Sequence, residues 1–256
     1  MKKSFFLFFF PCLVFALYQG NPSQPLIIEK GFWIPEDSFL SAKIGYQGDW
    51  VTNRKMKSIS RARGRIDRFK IQMNQGVFTL DILDRLEVYA SLGSFTTELW
   101  HRPQSQGGGR REYESHDRWT VGGGLRLVLM QWGNTTLGVD GTAQYATPYM
   151  KWSALNGVPS ARNSRLRYLE WQTPMALSHA IEIFSPYLGI TYSKVAASFR
   201  GIPSTILSSA HIKMHNRDRF GLVLGCTLSP GKKFDLTFEA RLISEEATTA
   251  AGNIKF

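Results

Sequence analysis

Lys233–Ile243 reads KFDLTFEARLI. Phe234, Leu236, Phe238, Ala240 and Leu242 fall on one side of an extended chain, and Asp235, Thr237, Glu239 and Arg241 on the other. A period of two with one apolar and one polar face marks a strand between two different media. The same alternation runs through RFGLVLGCTL (219–228), RWTVGGGLRLVLMQW (118–132) and DRLEVYASLG (84–93). Leu222, Leu224 and Cys226, then Leu125 and Leu127, then Leu86 and Val88 fall on the apolar side.

A soluble sandwich would also alternate, but its strands are usually ~5–6 residues long. Here the alternating runs are longer, with candidates near 39–53, 64–80, 84–101, 117–131, 134–151, 164–178, 181–199, 213–229, 232–244 and 249–256. The connections alternate as well. They are tight at 81–83, 132–133, 179–180 and 230–231, and long and polar at 54–63, 102–116, 152–163 and 200–212. Short turns at one end and long loops at the other describe an outer-membrane barrel. The fold expected is all-β: a transmembrane antiparallel β-barrel of about 10 strands (10–12), occupying 39–256.

The chain has 256 residues, with 31 Lys and Arg against 20 Asp and Glu. MKKSFFLFFFPCLVFA (1–16) reads as a signal peptide, with a Lys2-Lys3 start and a short apolar run. Cleavage after Ala16 leaves a periplasmic N-terminal segment, 17–38, ahead of the barrel, and Cys226 as the single cysteine. No later run of 18 apolar residues supports a membrane helix. The chain stops on Ile254-Lys255-Phe256, half a strand that the first strand must pair in a closed wall.

Several blocks resemble the chlamydial major outer membrane protein family, which are porins. They are GNPSQP (20–25), KIGYQGDWV (43–51), LDILDRLEVYASLG (80–93), TTLGVDGTAQY (135–145), LEWQTPMALSHAIEIFSPYLGITYSK (169–194) and FEARLISEEATTAAGNIKF (238–256). The blocks keep their order, and the chain is a shortened, cysteine-poor version. The resemblance implies a cell outer-membrane location and diffusion of small hydrophilic solutes or ions. It also makes Ile254 and Phe256 similar to the terminal signal read by the barrel assembly machinery.

If the lumen is the working surface, alternation assigns fourteen residues to it. They are Lys43, Asp49, Arg68, Lys70, Arg85, Glu87, Arg118, Arg126, Asp140, Glu170, Arg219, Asp235, Glu239 and Arg241. Eight are basic and six acidic, which in an open pore gives a weak anion preference. In a narrow barrel the same groups pair with each other, and ten strands lie nearer the filled limit than ~16-stranded porins do. The run NRKMKSISRARGRIDRFK (53–70) carries eight basic residues and one acid. Lipopolysaccharide phosphate is its natural neighbour at the cell surface, beside outer-membrane lipid; nucleic acid is not a partner there. A homo-oligomer is compatible with such a wall.

Two other readings stand beside the porin: a non-conducting barrel that binds or adheres at the surface, and an outer-membrane protease with a rim site. For the last, His101, Glu112, Glu114, His116, Asp117, His211, His215 and Asp218 fall near the outer rim. HIKMH (211–215) lacks the acid of a zinc-protease motif, so no catalytic residue, metal or cofactor is assigned.

Overall fold

A computed structural model describes residues 20–27, 39–59, 64–103, 109–160, 164–202, 211–230 and 233–256. The expected signal peptide, most of 17–38 and parts of the outer loops lie outside the described residues.

Fifteen strands follow one another: β1 (Leu40–Arg54), β2 (Met56–Ser58), β3 (Gly64–Ile82), β4 (Leu86–Pro103), β5 (Arg111–Ser115), β6 (Arg118–Trp132), β7 (Thr135–Ala146), β8 (Met150–Leu155), β9 (Val158–Ser160), β10 (Arg165–His179), β11 (Phe184–Arg200), β12 (His211–Asn216), β13 (Phe220–Leu228), β14 (Phe234–Leu242) and β15 (Glu245–Lys255). Ten of them close a ring, in the order β1, β15, β14, β13, β11, β10, β7, β6, β4, β3 and back to β1. Every pairing in the ring is antiparallel. The molecule is the ten-stranded outer-membrane barrel that the alternation predicts. Closure leaves no free edge at membrane depth, as hydrocarbon demands. The last strand is held along its length by β1, from Lys43 opposite Lys255 to Arg54 opposite Glu245. The Phe256 amide donates to the Ala42 carbonyl at 2.8 Å.

The tight turns lie together at one end. Leu83 (φ 56°) and Asp84 (φ 52°) both take the left-handed conformation between β3 and β4. A non-glycine residue there costs ~1 kcal/mol or more, which Asp tolerates better than Leu. The lipid-facing wall is where the alternation put it. Val88, Leu125, Leu127, Leu222, Leu224, Phe234 and Phe238 all point outward and are exposed, and Leu86 and Cys226 are half-buried. An aromatic cluster from Trp171, Tyr192 and Phe220, with centroids 5.3 Å apart across β10, β11 and β13, sits at the outer border with Trp50 and Trp119. Phe39, Trp132, Phe184 and Phe234 stand at the other border. Such belts mark the two membrane interfaces.

Several strands continue past the outer belt. β3 has 19 residues and β4 has 18, where a tilted span needs ~9–11. In this extension the polarity of the faces is reversed. On β3, Gln75, Thr79 and Asp81 point inward in the membrane half, with Phe78 and Leu80 toward lipid. Farther out, Phe69, Ile71 and Met73 point inward and are fully buried, while Arg68 and Lys70 face out. On β10, Leu166 and Tyr168 are buried between exposed Arg165 and Arg167; on β11, Val195, Ala197 and Phe199 are buried beside exposed Lys194 and Arg200. Outside the bilayer the surrounding medium is water, so the barrel takes the pattern of a soluble one, apolar within and charged without.

Candidate functional site

The lumen is filled in three layers. At the short-turn end lies the segment Gly20–Ile27, whose last turn is a one-turn helix, α1 (Gln24–Ile27). GNPSQP has neither strand period nor helix length, so its backbone groups need partners from the wall. Asn21 Nδ2 donates to the Ser185 carbonyl at 3.0 Å and to Thr227 Oγ1 at 3.1 Å. The Gly20 amide donates to Glu239 Oε2 at 3.1 Å, and Ser23 Oγ bonds Ser178 Oγ. Gln24 Nε2 donates to Asp235 at 3.1 Å, and Gln24 Oε1 accepts from Arg126 Nη1 at 2.8 Å. Its carbonyl accepts from Lys43 Nζ at 3.1 Å. The segment thus touches β1, β6, β10, β11, β13 and β14. β7 makes room for it with Gly138, where a Cβ would stand 2.8 Å from Pro22 Cβ. Residues 20–27, read from sequence as part of a periplasmic segment, therefore lie inside the barrel wall.

Around and above the segment runs an ion-pair network. Lys43 reaches Glu87 at 2.5 Å and Asp81 at 3.3 Å, and Arg126 reaches Glu87 at 2.6 Å and Asp140 at 3.0 Å. Tyr89 donates to Asp140 at 2.7 Å. It leans across Gly124 of the GGG run, where a Cβ would be 2.7 Å from its hydroxyl. Farther along the axis, Arg241 pairs with Asp49, with Glu239 at 2.9 Å and with Glu245 at 2.8 Å. Arg54 pairs with Glu170 and Glu245. Every charged group of this network is at most 5 % exposed.

The third layer is apolar. Val51, Phe69, Ile71, Met73, Phe95, Leu99, Tyr113, Leu166, Val195, Phe199, Ile212 and Met214 pack in one cluster, none more than 2 % exposed. Tyr168 joins the layers. Its ring lies 5.3 Å from Phe95 and 6.2 Å from Phe69, while its hydroxyl accepts from Arg54 at 2.9 Å and donates to Glu170. Among the described residues, two cavities of the lower lumen measure about 20 Å³, beside Gln24, Lys43 and Arg126, and about 10 Å³, beside Pro22 and Asp140. A cavity needs ~10–15 Å³ to hold one water.

Nine of the fourteen lumen candidates lie inside: Lys43, Asp49, Glu87, Arg126, Asp140, Glu170, Asp235, Glu239 and Arg241. The other five require correction. Arg68 and Lys70 lie on the outer face of β3, against Trp100 and Glu98, because inward polarity reverses above the membrane. Arg85 is exposed in a short turn, Arg118 lies at the outer mouth over the Tyr149 ring, and Arg219 precedes β13 and donates to Tyr192 outside the wall. Arg54, Asp81, Glu245 and Lys255 are buried inside and were not among the candidates. Glu245 opens β15 four residues ahead of the run that marks this strand in the sequence. Among the described residues, six buried Lys and Arg side chains, Arg111 included, stand against eight buried Asp and Glu, so that part of the interior is acidic and the positive excess lies outside it. The rim residues do not converge. His101 is buried within the barrel, whereas His211 is exposed and His215 half-exposed on the outer face of β12.

The chain aligns over 94 % of its length with the major outer membrane porin, serovar A, of Chlamydia trachomatis, covering 95 % of that protein at 22 % identity. The chain is a relative of the chlamydial major outer membrane porins. A Chlamydia pneumoniae porin aligns at 23 % identity over 94 % of both chains. That alignment spans 371 positions against 256 residues here, so this barrel is a shortened relative. Its place is the outer membrane. No family model matches the chain. Among solved structures, OprG of Pseudomonas aeruginosa is similar at a TM-score of 0.39 and 9 % identity, over 86 % of this chain and 96 % of that one. An outer membrane channel of Pseudomonas putida F1 gives 0.41 and 10 %, over 87 % and 100 %.

Proposed function

We propose that this porin relative is a barrel closed to free diffusion, and that it works at its outer surface as a binding barrel. The observation that carries this reading is the filled lumen. A solute entering from outside meets a fully buried apolar cluster, and behind it ion pairs and the segment 20–27. Displacing buried charges from their partners costs several kcal/mol each, so thermal opening is rare. The outer face supplies the binding surface, since the excess of Lys and Arg is exposed there. Its anionic neighbour is the phosphate of lipopolysaccharide. Ile254 and Phe256 remain the signal for the barrel assembly machinery in this reading, and no catalytic role is assigned.

Passage of small hydrophilic solutes or ions is the second reading, favoured by the printed name of the relatives. Planar-bilayer recording of the refolded full chain separates the two. The closed barrel gives a silent membrane although folded protein is inserted. Discrete, repeated conductance steps from wild-type protein would restore the porin.

A further inference from the structure

Val51 opposite Ile71 is the last pair that joins β1 to β3. Beyond it the strands part. β2 turns to β12, where Met56, Lys57 and Ser58 face Asn216, His215 and Met214. Gly64–Lys70 of β3 pairs with β4 and, among the described residues, with no strand on its other side. The split leaves an open cleft of about 600 Å³, within the ~300–1,000 Å³ of small-molecule sites.

Cations line both walls: Lys55 and Lys57 on one, Arg65 on the other, and Arg217 after β12. Carboxylates are few. Asp67 is shared by Arg65 at 3.2 Å and Arg102 at 2.6 Å, and Asp218 lies 4.0 Å from Lys55. Lys57 and Arg217 are exposed and have no ion pair among the described residues. A strand paired on one side also turns half of its backbone amides toward the open side, where they are free to donate.

We propose that this cleft binds the phosphate groups of lipopolysaccharide in the outer leaflet. Guanidinium and ammonium groups on two walls suit a tetrahedral, multiply charged oxyanion, which guanidinium takes in bidentate fashion. The position fits the same ligand. Lys55 and Lys57 follow Trp50 of the outer aromatic belt by five and seven residues, or roughly 15–25 Å of extended chain. A tilted strand at that distance reaches the phosphate-bearing inner sugars of the lipid. This deepens the surface-binding reading and names its partner. It does not depend on whether the barrel conducts, because the assay below reads binding alone.

The test uses refolded full-length protein in detergent, titrated with bisphosphorylated lipopolysaccharide and with the same lipid after phosphatase treatment. The phosphorylated lipid should bind at least tenfold more tightly. The double variant Lys57→Glu/Arg217→Glu should lose that preference, while Arg165→Glu/Arg167→Glu, elsewhere on the basic exterior, should keep it. If the Glu variant does not fold, as read from its heat-modifiable gel mobility, Lys57→Gln/Arg217→Gln serves in its place. Equal binding of both lipids, or equal loss in both double variants, overturns the proposal. So does heparin displacing the lipid from the cleft at lower concentration than inorganic pyrophosphate, which makes the cleft a sulfated-glycan site.

Discussion

Arg241 ties three strands of the wall together from inside. Its guanidinium faces Asp49, Glu239 and Glu245, all buried with it. Arg241→Met should destabilise the barrel by ~3–5 kcal/mol, because Asp49 and Glu239 lose their counter-ion where water cannot replace it, while Glu245 keeps Arg54. The urea midpoint of the detergent-refolded barrel measures this. Arg68→Ala should cost under ~1 kcal/mol, since that side chain stacks on Trp100 in water. Equal costs would show that Arg68 has the inward role that alternation first suggested. On the other face, Leu224→Arg at mid-wall should cost ~2–4 kcal/mol in lipid. Cys226 lies on that same face, so a membrane-impermeant maleimide should label it slowly until the barrel is unfolded. The sequence shows these wall residues plainly because lipid demands apolar side chains. It misses Arg54 because the bulge between Val51 and Asn53 shifts parity where the strand leaves the membrane.

At the level of elements, all ten wall strands were legible, to within a few residues for most of them, because period two persists through every one. The face assignment was legible only in the membrane half. Polar side chains point inward only while lipid lies outside. A substitution scan along β3 makes the reversal measurable. Lys should be tolerated at 75 and 79 but not at 78 or 80; farther out it should be rejected at 69, 71 and 73 and tolerated at 72, as the native Lys70 already is. The pattern slips by one residue within a single strand. The N-terminal segment left no such trace, since eight residues with two prolines carry no period. Its role is tested by deleting 20–27. The wall should still close in detergent, because its ladders do not involve the segment. The urea midpoint should fall, because Asp235, Glu239 and Arg126 each lose a hydrogen bond worth ~1.5–3 kcal/mol net. Gly138→Leu, which crowds Pro22, should reproduce most of the fall. An unchanged midpoint in both would mean that the segment is a passenger in the lumen.

For the whole molecule, the last residue allows delivery to be tested apart from stability. Deleting Phe256 removes one half-buried aromatic and the amide bonded to Ala42. Burial of that ring is worth ~1.5–3 kcal/mol at most, a minor loss beside ten strands of ladder. Membrane yield in cells should drop sharply while refolding in detergent stays nearly intact; equal loss in both would reduce the residue to a packing role. The pairing of β1 with β15 has a further consequence. Both ends of the wall meet at one rim, so the ring of strands has no intrinsic beginning. A circular permutant that links the C-terminus to the N-terminal segment and opens the outer hairpin at Ile243–Ser244 keeps every strand neighbour, yet ends on Ile243 instead of Phe256. Its refolding would report on the ring alone, with the order in which the ribosome supplies the strands taken out of the question.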